Sequence, residues 1–400
     1  MKAIDEARLR LREGRLDEAE RLFRRVLRAT PDDVPAGNGL ATVLLRGGEA
    51  RRAVAMLEQL LERDPNEALT QHNLGRAYDA CGQGDVAARH YRGALRKRPE
   101  LHTTRLRLAE LLERLGDARG AVLQYARALR DAQRHGRWLD PQTTPPGLVA
   151  LVETAVQRVE AQRRTITTTV RDAVAARQPH ADLSRFDAAL PVFLGDRAPD
   201  ATERRRPVLL LLPDLPAAAF HEPERIEGLA ALCGAVEAIG AEALQLPRGA
   251  EAVTRHDLLR AGEPVAATLG RCPTVAAALQ LPTLARIRAH APRAAFLSIA
   301  PGTRVTPARG ATNACIVGHL VLGASPGAGV EVDGQQREWR QGEWLLFDDS
   351  FGHEFRNRGD RPVELLAVDL WHPDSTDVER DAVAELIAAL GDFTRALEAA

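Results

Sequence analysis

Lysine is almost missing from this 400-residue chain: Lys2 and Lys97 stand among 54 basic residues, and the rest are arginine. With alanine abundant, that bias reads as a GC-rich genome rather than as a functional signature. Cysteine is scarce as well. Cys81, Cys233, Cys272 and Cys315 are far apart and form no CxxC pair, which excludes a zinc knuckle and a disulfide framework and predicts a reducing cytoplasm. A dominant charge is also missing, because acidic and basic residues nearly cancel to a net −1; no nucleic acid and no anionic membrane is expected as a partner. No aliphatic run, Val208–Leu212 included, approaches the roughly 20 residues that span a bilayer. The opening MKAIDEARLRLREGRLDEAE reads as a charged amphipathic helix rather than a signal sequence. A cytosolic protein of more than one domain is the expectation.

What is present begins with a period of 34 residues. It aligns Gly14, Gly48, Gly82 and Gly116; Ala19, Ala53, Ala87 and Ala121; Phe23, Leu57, Tyr91 and Tyr125; and Leu27, Leu61, Leu95 and Leu129, with Pro31, Pro65 and Pro99 closing the first three units. Glycine suits the turn between two helices, the small alanine lets them approach, and proline stops the second. This pattern is similar to that of tetratricopeptide repeats, four of them over residues 1–132. The resemblance implies an all-α solenoid whose first helices line a peptide-binding groove. At the exposed positions of those helices, Asn73, Arg76 and Arg107 are the candidates to meet a carboxylate or a peptide carbonyl.

The repeat pattern decays into the polar stretch 134–147, and Leu148 to Ala176 is again helical by periodicity, so residues 133–200 are expected to be a linker and a bracing helix. An apolar strand ending in a turn is expected over Arg206 to Pro216, a helix over Glu222 to Ala243 and a strand over Ala294 to Ile299. Asp333 to Pro373 then reads as paired strands around one conspicuous histidine, His353.

Across Pro207 to Pro373 the motifs PGTRVTPARGATN, FDDSFGHE and DLWHP resemble the aspartyl/asparaginyl β-hydroxylases. That resemblance implies a double-stranded β-helix (jelly-roll, cupin-like) with flanking helices over residues 201–374, Fe(II) and 2-oxoglutarate as cofactors, and hydroxylation of a peptide or protein recruited by the repeats. It assigns His353 as a metal ligand and His319, Ser298 and Arg361 as co-substrate contacts, with Ser298 offset by one residue from the family's serine and Arg361 two residues short of the family's arginine.

Two departures weigh against that activity. Ala308 stands where the family carries its first iron-binding histidine, and Val363 where it carries the arginine that clamps 2-oxoglutarate. Iron(II) oxygenases need at least two protein ligands, and a methyl group supplies none. Three readings follow: a hydroxylase with a degraded metal site, an inactive pseudo-hydroxylase serving as a protein-binding scaffold, or a rebuilt metal site using His319, His353 and one of Asp348, Asp349 or Glu354. Residues 375–400 are expected to form one amphipathic helix capped by Ser375 or Thr376.

Overall fold

The computed structural model describes residues 3–247, 249 and 251–399. Two compact units result: one runs to Gln162 and takes in the chain from Thr394, and the other is Arg163–Phe393.

In the first unit the period of 34 becomes four helical pairs: α1 (Ala3–Arg12) and α2 (Leu16–Ala29), α3 (Val34–Arg46) and α4 (Ala50–Arg63), α5 (Ala68–Ala80) and α6 (Gly84–Lys97), α7 (His102–Arg114) and α8 (Ala118–Gln133). Gly14, Gly48, Gly82 and Gly116 join the helices of each pair with φ between 76° and 85°. A Cβ there would touch nothing within 4 Å, so the left-handed backbone rather than crowding calls for glycine. Ala19, Ala53 and Ala87 are fully buried, and Phe23, Leu57, Tyr91 and Tyr125 fill the core beside them. The helix α9 (Val149–Arg177) follows where the bracing helix is expected.

The second unit holds eleven strands among the described residues: β1 (Phe220–His221), β2 (Val253–Arg260), β3 (Glu263–Pro264), β4 (Ala294–Ile299), β5 (Arg304–Val305), β6 (Cys315–Gly323), β7 (Ala328–Val332), β8 (Gln335–Glu338), β9 (Trp344–Phe347), β10 (His353–Asn357) and β11 (Val363–Trp371). They pair antiparallel in a seven-stranded sheet, β1-β9-β6-β11-β4-β2-β3, and a four-stranded sheet, β5-β10-β7-β8. The arrangement is a jelly roll with flanking helices.

The strand period of two sorts residues onto the faces of the larger sheet. Ala294 and Phe296 on β4, Ile316 and Leu320 on β6, and Leu366, Val368 and Leu370 on β11 pack on one side with α11 (Leu229–Cys233), α12 (Val236–Leu244) and α14 (Pro273–Ala278). The alternate residues Ala295, Leu297 and Ile299, Val321, Val363 and Leu365 face inward, meeting Val330, Val332 and Phe355 of the smaller sheet. A short helix α13 (Ala266–Leu269) lies between β3 and α14 in sequence. A third cluster gathers α9, α10 (Ser184–Phe193), the segment 210–215 and α15 (Asp377–Ala399). Thr376 caps α15 in a capping box: its amide donates to Glu379 Oε2 at 2.9 Å, and its Oγ1 receives the Glu379 amide at 3.4 Å.

Two expectations are corrected. Glu222 to Ala243 is not one helix, because Pro223 opens a 3-10 turn, Gly228 sits at φ 90°, and two short helices follow. Arg206 to Pro216 bends at Val208 and Leu209, turns at Pro213 and Asp214, and makes one isolated parallel bridge, Leu210 to Thr312, instead of joining a sheet as a strand.

Candidate functional site

Between the two sheets lies a cavity of about 110 Å³, lined by Ala308, His319, His353, Asp349, Arg293 and Arg255 among others. His353 opens β10. Its Nδ1 lies 3.1 Å from the Phe351 carbonyl oxygen, so Nδ1 carries the proton and donates, and Nε2 keeps a free lone pair. Burial lowers its pKa, so the ring is neutral near pH 7. His319, on β6, faces Leu345 of β9 and Ala367 of β11. It packs edge-on against Phe347 at 5.1 Å and Phe355 at 5.3 Å, with Trp339 at 5.9 Å. Its Nδ1 is buried without a hydrogen-bond partner. Burial, with His353 adding to it, pushes this imidazole down to about 3.

The opposite wall is ionic. Arg293 grips Asp369 through Nε at 2.9 Å and a terminal nitrogen at 3.1 Å, and the same nitrogen lies 3.6 Å from Asp349. Asp349 is buried, and its carboxyl is pushed up to about 7 by that burial first and by Asp369 second, with Arg293 pulling the other way. Gly310 donates its amide to the Asp349 carbonyl at 3.0 Å, and a Cβ at Gly310 would overlap the Asp349 carboxylate. Absence of a side chain is what lets the loop carrying Ala308 close onto the FDDS turn.

Of the residues expected at the site, His319 and His353 are brought together at one cavity, and Ala308 lines it. Ser298 is not brought there. It lies on the opposite face of β4 from Ala295 and Leu297, and its Oγ donates to Glu364 at 2.9 Å; an offset of one residue in a strand reverses the face. Arg361 is not brought there either, since its side chain is 73% exposed, with Asp360 at 3.8 Å. Val363 is fully buried, opposite Ile299 on β4. Glu354 pairs with Arg304 and Arg356, and Asp348 accepts the Ser350 amide at 2.8 Å. Sequence reasoning passed over Arg255, Arg293 and Asp369, although DLWHP held the signal in its aspartate.

These residues do not fit an iron(II) and 2-oxoglutarate centre. His353 lines a cavity with the Ala308 methyl group, the other imidazole, His319, is enclosed by Phe347, Phe355 and Trp339, and no group of three His, Cys, Asp or Glu among the described residues is placed to share an ion. The cavity has the volume of roughly four waters at about 30 Å³ each, below the roughly 300 Å³ at which ligand pockets begin.

In the repeat unit, Asn73 is buried and donates to Asn38 at 2.8 Å, while Asn38 donates to Thr70 at 2.9 Å. Asn73 is therefore held in an amide ladder. Arg76 is half-buried, with the Asn73 amide oxygen at 3.5 Å, and Arg107 and Arg46 act on it as like charges. Arg107 pairs with Glu110 at 2.9 Å. His72, bonded to Thr104 at 2.9 Å, is pushed down to about 3 by burial and then by Arg76 and Arg107. Arg46 escaped the sequence reading because it ends α3, outside the compared columns.

The fold is a helical-repeat solenoid followed along the chain by an antiparallel jelly roll with flanking helices. Residues 10–74 and 70–103 match tetratricopeptide repeat families, and residues 244–373 match the aspartyl/asparaginyl beta-hydroxylase family. The chain carries tetratricopeptide repeats in its N-terminal region and an aspartyl/asparaginyl β-hydroxylase domain toward its C-terminus. It is 33% identical over 207 residues to human aspartate beta-hydroxylase domain-containing protein 1, covering 47% of this chain and 53% of that one. It is 37% identical over 81 residues to mouse aspartyl/asparaginyl beta-hydroxylase, covering 20% and 11%. The chain thus spans about half the length of the first of these curated relatives. Among solved structures, a thermophilic tetratricopeptide protein of Thermus thermophilus is 22% identical with a TM-score of 0.33, covering 39% of this chain and 79% of that one.

Proposed function

We propose that this chain is a peptide-binding protein whose hydroxylase-type barrel no longer performs iron(II)- and 2-oxoglutarate-dependent hydroxylation. Ala308 carries the reading: a methyl group lines the cavity where the family places its first imidazole. Without an imidazole at position 308, His353 is left with His319, which three aromatic rings enclose, and that pair lacks the ligand set of an iron(II) oxygenase. Val363 supports the same conclusion, because it is a buried aliphatic side chain, and the arginines that do line the cavity are already held, Arg293 by Asp369 at 2.9 Å and Arg255 by Asp257 at 2.6 Å.

The binding role falls to the repeats. A half-buried Arg76 with Arg46 and Arg107 beside it favours a peptide that brings carboxylates, and Asn73 orients that guanidinium. Four free cysteines fit a reducing cytoplasm, and no helix among the described residues is long and apolar enough to cross a membrane.

Two titrations test the two halves of this reading. Anaerobic calorimetry with iron(II) and 2-oxoglutarate is expected to show no saturable binding, and one tightly held iron per chain would refute the silent barrel. Anisotropy with a labelled hexapeptide rich in Asp and Glu is expected to show salt-sensitive binding that weakens about tenfold in Arg76→Gln. Unchanged affinity in that variant would refute the groove assignment.

A further inference from the structure

A larger cavity, of about 970 Å³, lies in the Arg163–Phe393 unit and shares no lining residue with the cavity between the sheets. Its size lies within the roughly 300–1,000 Å³ of small-molecule sites. Val192 and Phe193 of α10 form one wall, and the irregular segment 207–215 forms another. That segment contains five consecutive aliphatic residues, Val208 to Leu212. Leu210 and Leu212 are buried in the core, whereas Val208 is 68% and Leu209 37% exposed. Val208 and Leu209 are adjacent at a bend, and both leave apolar surface at the mouth of the cavity, where an apolar ligand would cover it.

The backbone indicates how that cover is recognised. The amides of Val208, Leu209 and Leu210 donate to Gly310 and Ala311 carbonyls at 2.8–3.1 Å, and Leu212 donates to Asn313 Oδ1 at 2.7 Å. With these donors spent, the segment is poorly equipped to add a peptide strand, and side-chain contact remains.

Charge adds the second half of the recognition. Arg163, Arg197 and Arg206 line the same cavity and bond to main-chain carbonyls, of Phe193 at 3.0 Å, Ala188 at 3.0 Å and Arg205 at 2.9 Å. None of the three has a carboxylate within ion-pairing distance among the described residues, although Arg163 also stacks on Phe193 at 4.6 Å. Of the acids that line the cavity, Glu203 is spent on Arg205 at 2.7 Å, Asp200 accepts from the Thr202 amide and hydroxyl and feels the Arg206 charge from beyond ion-pairing distance, and Asp214 remains. Arginine keeps its charge and donates in a fork that suits carboxylates.

We propose that this groove binds an anionic amphiphile with one alkyl chain, of the fatty-carboxylate class, its chain along Val208, Leu209 and Phe193 and its carboxylate on Arg197 and Arg206. Calorimetric titration of the full chain with monomeric octanoate, decanoate, dodecanoate and dodecyltrimethylammonium tests it. Dodecanoate is expected to bind one per chain, with affinity rising about fourfold per added methylene along the series. The cationic analogue is expected to bind at least about tenfold more weakly, and Arg197→Gln with Arg206→Gln to erase that preference. The chain-length and charge comparisons are read on the native protein, so they stand even where a variant fails to fold. Equal affinity for the cationic analogue, or no saturable binding, overturns the proposal. Binding to phosphatidylglycerol vesicles without binding of monomeric dodecanoate also overturns it, by assigning the exposed residues to a membrane surface.

Discussion

His319→Phe separates a buried relic from a working imidazole. His319 is 1% exposed, its Nδ1 has no partner, and three aromatic rings surround it within 6 Å. Burial lowers its pKa from 6.5 to about 3, so the folded protein keeps it neutral while the unfolded chain protonates it below about pH 6.5. A folded pKa below the unfolded one means that its contribution to stability is full above about pH 6.5 and is lost as the pH falls toward about 3. Between pH 7.5 and pH 5 that loss is about 2 kcal/mol. Phenylalanine removes it and also removes a buried, unpartnered nitrogen that costs about 1 kcal/mol. The variant is expected to be about 1 kcal/mol more stable at pH 7.5 and about 3 kcal/mol more stable at pH 5. Scanning calorimetry then shows the melting temperature of the Arg163–Phe393 unit rising by about 2–4 °C at pH 7.5 and about 6–12 °C at pH 5. Equal rises at the two pH values, or a fall at pH 7.5, would refute the reasoning, because the imidazole would then be bonded or charged in the fold.

Other substitutions probe the frame around the cavity and the helices packed on the larger sheet. Gly310→Ala drives a methyl group into the Asp349 carboxylate and is expected to cost about 3 kcal/mol in urea unfolding; a loss below about 1 kcal/mol would show that the loop yields. Asp349→Asn removes a group whose folded pKa, about 7, lies above its unfolded value of 3.8 and whose stability contribution therefore falls as pH rises through 7. The native protein should lose about 1 kcal/mol more than this variant between pH 6 and pH 8.5, and parallel profiles would contradict the assignment. Glu242→Ala strips the acceptor from the amides of Thr274, at 2.6 Å, and Val275, at 3.0 Å, at the start of α14. It should cost about 2 kcal/mol, with Glu242→Gln costing less because one acceptor oxygen stays; equal costs would mean that the capping bonds are not what is lost.

The repeat array was legible almost residue by residue, because its glycines, alanines and aromatics recur at a fixed spacing and each holds a backbone or packing position that few residues fill. The strands around His353 were legible from alternation. Ser298 and Arg361 were misplaced for a geometric reason: in a strand one residue decides the face, and Pro362 follows an arginine that turns to solvent. The Arg293–Asp369–Asp349 wall joins residues far apart in the chain, which no local spacing encodes. The exposure of Val208 and Leu209 was invisible as well, since an apolar run reads the same whether all of it is covered or its first residues bend out to the surface.

The central claim is that Ala308 has silenced the barrel. Its most direct test is succinate formation by the native protein, loaded anaerobically with iron(II), 2-oxoglutarate and an Asp- or Asn-bearing peptide and then exposed to oxygen, with Ala308→His and Val363→Arg combined as the comparison. The account predicts no succinate above the protein-free reaction from the native chain, and any recovery only in the double variant. Oxygen-dependent succinate from the native chain, at one equivalent or more per protein, would contradict it.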